Sequence, residues 1–292
     1  MLELSSLPIG FDSAYTGVPS KDTTRATAHT PDDAEAHNLR GIAYSENGDQ
    51  DRAIATLSKA IALKPDFAEA YSNRGIAYGV KGDFDRAIAD FNTVIKLNPN
   101  SPNVYNNRGI VYGLRRDFDR AIANYNTAIK LNPDYAAAYN NRGITYRDKG
   151  SFDLAIADFN KTIELNPDFA EPYNNRGAVY DKKHELDYAI VDYNKAIELN
   201  PDYAEPYTNR GVAYDKKGDF DLAIADHNKA IKLNPDYAEA YTNRGTAYLN
   251  KDDFDRAIED YNTAIQLELR LVGAYYNRGI AYLNKGDFDR AI

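Results

Sequence analysis

The tripeptide Asn-Arg-Gly returns every 34 residues along this chain, without an insertion or a deletion. Its glycines are Gly75, Gly109, Gly143, Gly177, Gly211, Gly245 and Gly279, and Arg40-Gly41 extends the series one step toward the N-terminus. Asn-Pro pairs recur with the same period. Such a period indicates a repeat architecture, in which each copy is one small unit and neighbouring copies bury each other's apolar faces.

The period divides the chain into an N-terminal extension or linker, residues 1–33, and a solenoid, residues 34–292. Glycine, proline, serine and threonine are frequent in the first segment, as in linkers. The solenoid contains seven full repeats and a truncated eighth: 34–67, 68–101, 102–135, 136–169, 170–203, 204–237, 238–271 and 272–292.

Each full repeat predicts a pair of helices. In the second repeat, Asp66 and Glu69 have the spacing of a capping box that opens the first helix. Gly82 is expected to end that helix, and Asp83 to cap the next one. Pro99 stops the second helix because proline lacks an N–H group. A pair of this kind cannot bury its own apolar face, so the pairs must stack.

The pattern resembles the tetratricopeptide repeat (TPR), a 34-residue unit with aromatic and small residues at fixed places. In the second repeat these places hold Tyr71, Gly75, Tyr78, Ala87, Phe91 and Pro99. The resemblance covers residues 34–292 and is greatest to bacterial arrays of near-identical copies. It implies an all-α fold, a right-handed superhelical α-solenoid of stacked helix-turn-helix hairpins. It also implies that the first helix of each pair lines a concave groove.

An asparagine is expected to face that groove in successive repeats: Asn73, Asn107, Asn141, Asn175, Asn209 and Asn243. An amide offers two donors and an acceptor, so a ladder of amides can bind the backbone of an extended peptide. In this respect the chain resembles the TPR arm of O-GlcNAc transferases, whose asparagine ladder holds substrate peptides. The alternative is that each amide bonds to the neighbouring helix.

Larger apolar residues follow one turn later in the early repeats. Ile76, Ile110 and Ile144 occupy this slot, and Val80 and Leu114 lie beside them. They predict a drier and deeper peptide-binding groove over residues 68–169 than in the later repeats, which place charged residues there. The alternative is drift between copies without functional meaning.

An arginine precedes the glycine of every repeat, where the TPR pattern has an apolar residue. A half-buried guanidinium needs a partner. The second helix offers one immediately before its aromatic residue or the equivalent position: Asp90, Asn124, Asp158, Asp192, Asp226 and Asp260. The pattern predicts an Arg–Asp ladder that ties the two helices of each pair together.

The last turn between repeats departs from the pattern. Where other copies read Leu-Asn-Pro-Asp-Tyr, the seventh reads Leu-Glu-Leu-Arg-Leu from Leu267 to Leu271. The missing proline predicts an altered turn at 268–273. Apolar residues of the eighth repeat then predict a homo-oligomer formed through the C-terminal end: Tyr275, Tyr276, Tyr282 and Leu283. The alternative is a normal turn with a frayed, monomeric end.

Composition excludes several classes of function. The net charge of −9 and the pI of about 5.0 argue against a nucleic-acid partner, and the chain has no cysteine. No apolar run is long enough for a membrane span, and the N-terminus is a poor signal peptide, so a cytoplasmic location is expected. His29, His37, His184 and His227 differ in repeat phase, which argues against a metal site.

No catalytic motif is present, and the carboxylates recur in every copy, so we expect neither an enzyme nor a cofactor. The sequence favours a protein-interaction scaffold that accepts a protein or peptide partner in its groove. Two alternatives stay open. One is a self-assembly module that stacks through open repeat ends, and the other is a regulatory or substrate-binding arm of a longer enzyme.

Overall fold

A computed structural model describes residues 33–291 of the chain, so the predicted linker and His29 lie outside the described part except for Asp33. This part contains sixteen α-helices and no strand: α1 (Ala34–Glu46), α2 (Gln50–Leu63), α3 (Ala68–Val80), α4 (Phe84–Leu97), α5 (Pro102–Leu114), α6 (Phe118–Leu131), α7 (Ala136–Asp148), α8 (Phe152–Leu165), α9 (Ala170–Lys182), α10 (Leu186–Leu199), α11 (Ala204–Lys217), α12 (Phe220–Leu233), α13 (Ala238–Asn250), α14 (Phe254–Leu267), α15 (Val272–Lys285) and α16 (Phe288–Ala291). The expected all-α repeat solenoid is confirmed. None of the sixteen helices has the length and apolar character that crossing a bilayer requires.

The helices fall into two compact units. The first unit contains α1 to α8, and the second contains α9 to α16. Odd-numbered helices are the first helices of their repeats, and even-numbered helices are the second. In both units each first helix packs along the second helix of its own repeat, and every first helix after the first of its unit also packs along the second helix of the preceding repeat.

The core of a repeat depends on a close approach between glycine and an aromatic ring. A Cβ atom added to Gly109 would lie 2.6 Å from Cε1 of Tyr125, a distance that real side chains do not tolerate. Tyr125 and Ala121 are fully buried beside it. Burial of a large side chain stabilises a fold by about 2–3 kcal/mol, so any larger residue at Gly109 would cost much of that gain.

The second helix begins as the sequence predicts, but the first does not. Gly82 ends α3 with a positive φ of 78°, and the Asp83 carboxylate accepts a hydrogen bond from the backbone of Arg86. The predicted capping box at Asp66 is wrong, because the residue before α3 is Phe67 and no side chain caps that helix. The buried ring of Phe67 fixes the start of α3 instead.

The turn between α14 and α15 is an ordinary one. Leu271 precedes α15 with φ −78° and ψ 76°, close to the −78° and 82° of Phe67 before α3. The predicted alteration at 268–273 is therefore wrong. Leu271 packs against the apolar cluster around Tyr261, which keeps the chain in register without a proline.

The predicted Arg–Asp ladder is confirmed. Nε and Nη2 of Arg74 each donate to the Asp90 carboxylate at 2.8 Å. This bond raises the pKa of Arg74, although burial opposes the rise. The same two-bond pair recurs in four further repeats: Arg142–Asp158, Arg176–Asp192, Arg210–Asp226 and Arg244–Asp260.

The arginines also link repeats, which sequence reasoning missed. Nη1 of Arg142 donates to Oδ1 of Asn126, which lies on the second helix of the preceding repeat, at 2.5 Å. In the second unit Arg244 makes the same bond to Asn228. One guanidinium therefore joins three helices. A planar group with five fixed donors suits this task better than an ammonium group does.

Candidate functional site

The first helices form one continuous face within each unit. In the first unit α1 contacts α3, α3 contacts α5, and α5 contacts α7; in the second unit α9, α11, α13 and α15 are related in the same way. Within each unit, the described second helices make no contact of comparable extent with one another. First helices therefore lie on the inside of each unit's curve. We call this face the inner surface.

Asparagine side chains join neighbouring first helices on the inner surface of the first unit. Nδ2 of Asn73 donates to Oδ1 of Asn38 at 3.0 Å, and Nδ2 of Asn141 donates to Oδ1 of Asn106 at the same distance. Asn107 and Asn141 are buried, as Asn175 is in the second unit. These three amides are not open to a peptide, which corrects the expectation for them. Asn73, Asn209 and Asn243 are half-buried, and their contact with a peptide stays a prediction.

Some of the apolar residues predicted to line the groove belong to the core. Ile110 and Ile144 are only 0% and 1% exposed, so neither lines a groove, and Ile110 packs against Tyr125 inside its own repeat. Ile76, Val80 and Leu114 are half-buried and remain available at the inner surface.

The depth predicted for the early groove stays a prediction, but the space between α3 and α5 is small. The cavity between α3 and α5 has a volume of about 20 Å³, which is the space of one water molecule. Serine and asparagine side chains from both helices line it, together with Ile76. A bulky side chain of a ligand does not fit there.

One buried amide of the first unit is incompletely bonded. Asn106 is fully buried, and its Oδ1 accepts from Asn141, but its Nδ2 has no hydrogen-bond partner. The missing acceptor has a sequence cause. Where the second unit places a glutamate near the start of the next first helix, the first unit places Ala137.

The equivalent amide of the second unit is fully bonded. Nδ2 of Asn174 donates to Oε1 of Glu205 at 3.0 Å and to Oη of Tyr203 at 3.3 Å, and Oδ1 accepts from Asn209 at 3.0 Å. Oη of Tyr203 donates to Oε2 of Glu205 at 3.2 Å. Burial raises the pKa of Tyr203, and the carboxylates of Glu205 and Glu171 raise it further.

The next step of the second unit lacks this network. Thr208 stands where Asn174 stood one repeat earlier, and it is fully buried. Its Oγ1 and the Nδ2 of Asn243 make no hydrogen bond of normal geometry. The carboxylate of Glu239, which corresponds to Glu205, is exposed. The pKa of this carboxylate is nevertheless raised. Neighbouring protein atoms reduce its solvation, and the negative charges of Glu205 and Glu268 raise the pKa further.

A histidine of the second unit sits inside the core. His227 on α12 occupies the aromatic slot that Tyr125 fills on α6, and both of its ring nitrogens are buried without a partner. Burial lowers its pKa to about 4, and the charge of Arg244 lowers it too. Alignment of the repeats with one another would have singled it out. Among the described residues no group of three or more His, Asp or Glu side chains is placed to hold a metal ion.

The predicted self-association residues differ in exposure. Tyr276 is 69% exposed, and Leu283 is 49% exposed two turns later on the same side of α15. Tyr275 is exposed as well. Tyr282 is half-buried, packs against the apolar cluster of the seventh repeat and lies under the guanidinium of Arg290 at 4.9 Å. Three of the four side chains are thus available to a partner.

Comparison with known proteins identifies the repeat. A family model described as "Tetratricopeptide repeat" matches six consecutive segments, 68–101, 102–135, 136–169, 170–203, 204–237 and 238–268. Related models with TPR descriptions match 43–79, 23–55 and 272–292. No curated protein is significantly similar to the chain.

Solved structures show the same fold. A chain of the APC/C hetero-tetramer Cut9-Hcn1 has a TM-score of 0.67 and 19% identity, and the match covers 83% of this chain but only 48% of that one. A tetratricopeptide repeat protein from Parabacteroides merdae ATCC 43184 has a TM-score of 0.66, 20% identity and coverages of 88% and 98%. YrrB, described as a TPR protein with an unusual peptide-binding site, has a TM-score of 0.50, 24% identity and coverages of 64% and 97%.

Proposed function

The chain belongs to the tetratricopeptide-repeat family, whose fold is that of protein-interaction scaffolds, and we propose that it binds an extended or helical segment of a partner protein along its inner surface. The description of YrrB as a peptide-binding TPR protein is in keeping with this role. The partner is a protein or peptide, and recognition depends on side chains of the first helices.

One observation carries the proposal. The inner surface contains a half-buried amide whose donor has no hydrogen-bond partner, namely Nδ2 of Asn243 in the second unit. Such an unpaired donor destabilises the unbound protein by about 1–3 kcal/mol. A peptide backbone offers both a carbonyl oxygen and an N–H group every residue, so a bound segment is well suited to supply the missing bond.

A peptide selected by display against the full chain tests the proposal. Leu114→Asp and Val212→Asp change half-buried side chains on the inner surfaces of the two units. Leu131→Asp and Leu222→Asp are matched controls, because these leucines are exposed on second helices. Fluorescence anisotropy should show that at least one inner-surface variant weakens binding about tenfold or more while both controls bind normally.

Thermal unfolding of all four variants establishes that each is folded at the temperature of the binding measurement. If the peptide lost affinity for the control variants but not for the inner-surface variants, the binding face would lie on the second helices and the proposal would be refuted.

Self-association is a second candidate role, favoured by the exposed apolar side chains of Tyr275, Tyr276 and Leu283 on α15. Such side chains gain free energy when a second copy of the chain covers them. Light scattering should give the mass of a dimer for the natural chain and of a monomer for the Tyr276→Asp, Leu283→Asp double variant. A natural chain that remains monomeric at high concentration would contradict this role.

A further inference from the structure

The amide link between the first helices α9 and α11 is not continued at the next step of the second unit. Nδ2 of Asn209 reaches Oδ1 of Asn174, but the corresponding pair one repeat later, Asn243 and Thr208, makes no bond. A threonine hydroxyl is one covalent bond closer to the backbone than an asparagine amide oxygen, so it does not span the gap. Nδ2 of Asn243 therefore has no hydrogen-bond partner between α11 and α13, while the Thr208 hydroxyl lies against Tyr237.

A carboxylate with vacant oxygens lies beside this gap. Glu205 uses one oxygen to accept from Asn174 and the other to accept from Tyr203. Glu239 has no hydrogen bond or ion pair within the described part of the chain, since Thr208 replaces the amide that would reach it. Burial raises the pKa of Tyr237, and the charges of Glu239 and Glu205 raise it further. A hydrogen bond with the Thr208 hydroxyl opposes the rise. Tyr237 therefore brings Thr208 and Glu239 into one neighbourhood.

We propose that Glu239 and Asn243 form a subsite for a lysine or arginine side chain of the bound partner segment. The cationic group pairs with the Glu239 carboxylate. Nδ2 of Asn243 donates to a backbone carbonyl of the same segment. This assignment rests on the proposed peptide-binding function and specifies the chemistry of the peptide.

The charge of the surroundings selects a cation over an anion. Glu171, Glu205 and Glu239 occupy the same slot on three successive first helices of the second unit. In the first unit that slot holds Glu35 on α1 and Glu69 on α3, but Asn103 on α5 and Ala137 on α7. A row of like charges raises the local concentration of an oppositely charged ligand and excludes an acidic one. A basic segment is therefore expected in the second unit and not on α5 or α7.

The experiment measures anisotropy with two labelled, extended peptides that differ only in a central lysine or glutamate. The natural chain should bind the lysine peptide, and Glu239→Gln should weaken that binding about tenfold. Thr208→Asn should restore the amide link seen between Asn141 and Asn106. It should therefore raise the melting temperature and lower the affinity for the lysine peptide, a combination that a purely structural role does not produce.

Glu69→Gln is the matched control. Glu69 occupies the same slot on α3, and in the next repeat this slot holds Asn103. It should leave binding unchanged. A lysine peptide that binds no better than the glutamate peptide, or that is insensitive to both Glu239→Gln and Thr208→Asn, would overturn the subsite. If that peptide still lost affinity with Leu114→Asp or Val212→Asp, the inner surface would remain the binding face and only the subsite would be refuted.

Discussion

The two units of this protein share a framework and differ in what they place on it. In both units the arginine before the glycine of the Asn-Arg-Gly tripeptide joins three helices, as Arg142 and Arg244 do. The inner surfaces differ at one slot near the start of the first helices, because α5 and α7 of the first unit lack the glutamate that α11 and α13 of the second unit carry. The slot holds Glu35, Glu69, Asn103 and Ala137 in the first unit and Glu171, Glu205, Glu239 and Gly273 in the second. The framework thus leaves a few slots free to set charge and hydrogen bonding without altering the fold.

That difference has a direct structural consequence. The buried amide of Asn106 in the first unit has an unused donor, whereas the equivalent Asn174 in the second unit donates to Glu205. The first unit therefore keeps one unused donor inside its packing, and the second unit pairs the equivalent donor with a carboxylate. Near-identical copies thus differ in the chemistry around one buried amide.

The largest expected effect tests whether the framework is the same in both units. Asp158→Ala in the first unit and Asp226→Ala in the second each leave a half-buried guanidinium without its carboxylate. Removing one partner of such a pair costs about 3–5 kcal/mol. Denaturant unfolding should give similar losses for both variants, with Asp134→Ala, an exposed carboxylate, as the neutral control.

A large loss in one unit and none in the other would show that the shared contacts do not carry equal weight, and the comparison would fail.

A smaller effect separates the units by pH. His227 fills an aromatic slot in the second unit, and its folded-state pKa of about 4 lies below the ordinary value of 6.5. Because the folded state disfavours the proton, this contribution to stability is complete above pH 6.5 and is lost as pH falls toward 4. The loss between pH 7 and pH 5 is about 2 kcal/mol.

His227→Phe should remove this acid sensitivity, since Phe159 shows that a phenylalanine fits the slot. Unfolding curves at the two pH values measure it. An equal pH dependence in the natural chain and the variant would assign the acid sensitivity to other groups.

The smallest effect concerns the turn inside a repeat. Gly82 and Gly218 adopt positive φ there, but Arg116 in the first unit and His184 in the second adopt φ of 61° and 60°. A side chain in this region is strained by about 1–2 kcal/mol, part of which glycine's flexibility in the unfolded state offsets. Arg116→Gly and His184→Gly should each stabilise the protein by about 0.5 kcal/mol. Destabilisation of either variant would mean that its side chain makes contacts worth more than the strain.

The sequence predicts the framework well because the framework repeats. The 34-residue period, the glycine at Gly109 and the Arg–Asp pairs are each present many times, and the structure confirms them. The prediction that Asp66 caps the first helix is wrong because the buried ring of Phe67, a tertiary contact, replaces a local carboxylate cap. Local rules do not include that contact.

The candidate site was harder to predict for the same reason. Spacing places Ile110 and Asn141 on one helix, but only packing decides that both are buried. The interrupted link at Thr208 depends on a neighbour 35 residues later, Asn243, and on the length of two side chains. A comparison of the copies with one another reveals such an exception, whereas the consensus of the repeat conceals it.

Amide hydrogen exchange of the full chain, with and without the lysine peptide, tests the central claim most directly. The account predicts slower exchange in α11 and α13 on binding, with α5, α7 and the second helix α12 unchanged, and no protection of α11 and α13 in Glu239→Gln at the same peptide concentration. Protection confined to α5 and α7, or to the second helices, would contradict the assignment of the basic partner segment to Glu239 and Asn243 on the inner surface of the second unit.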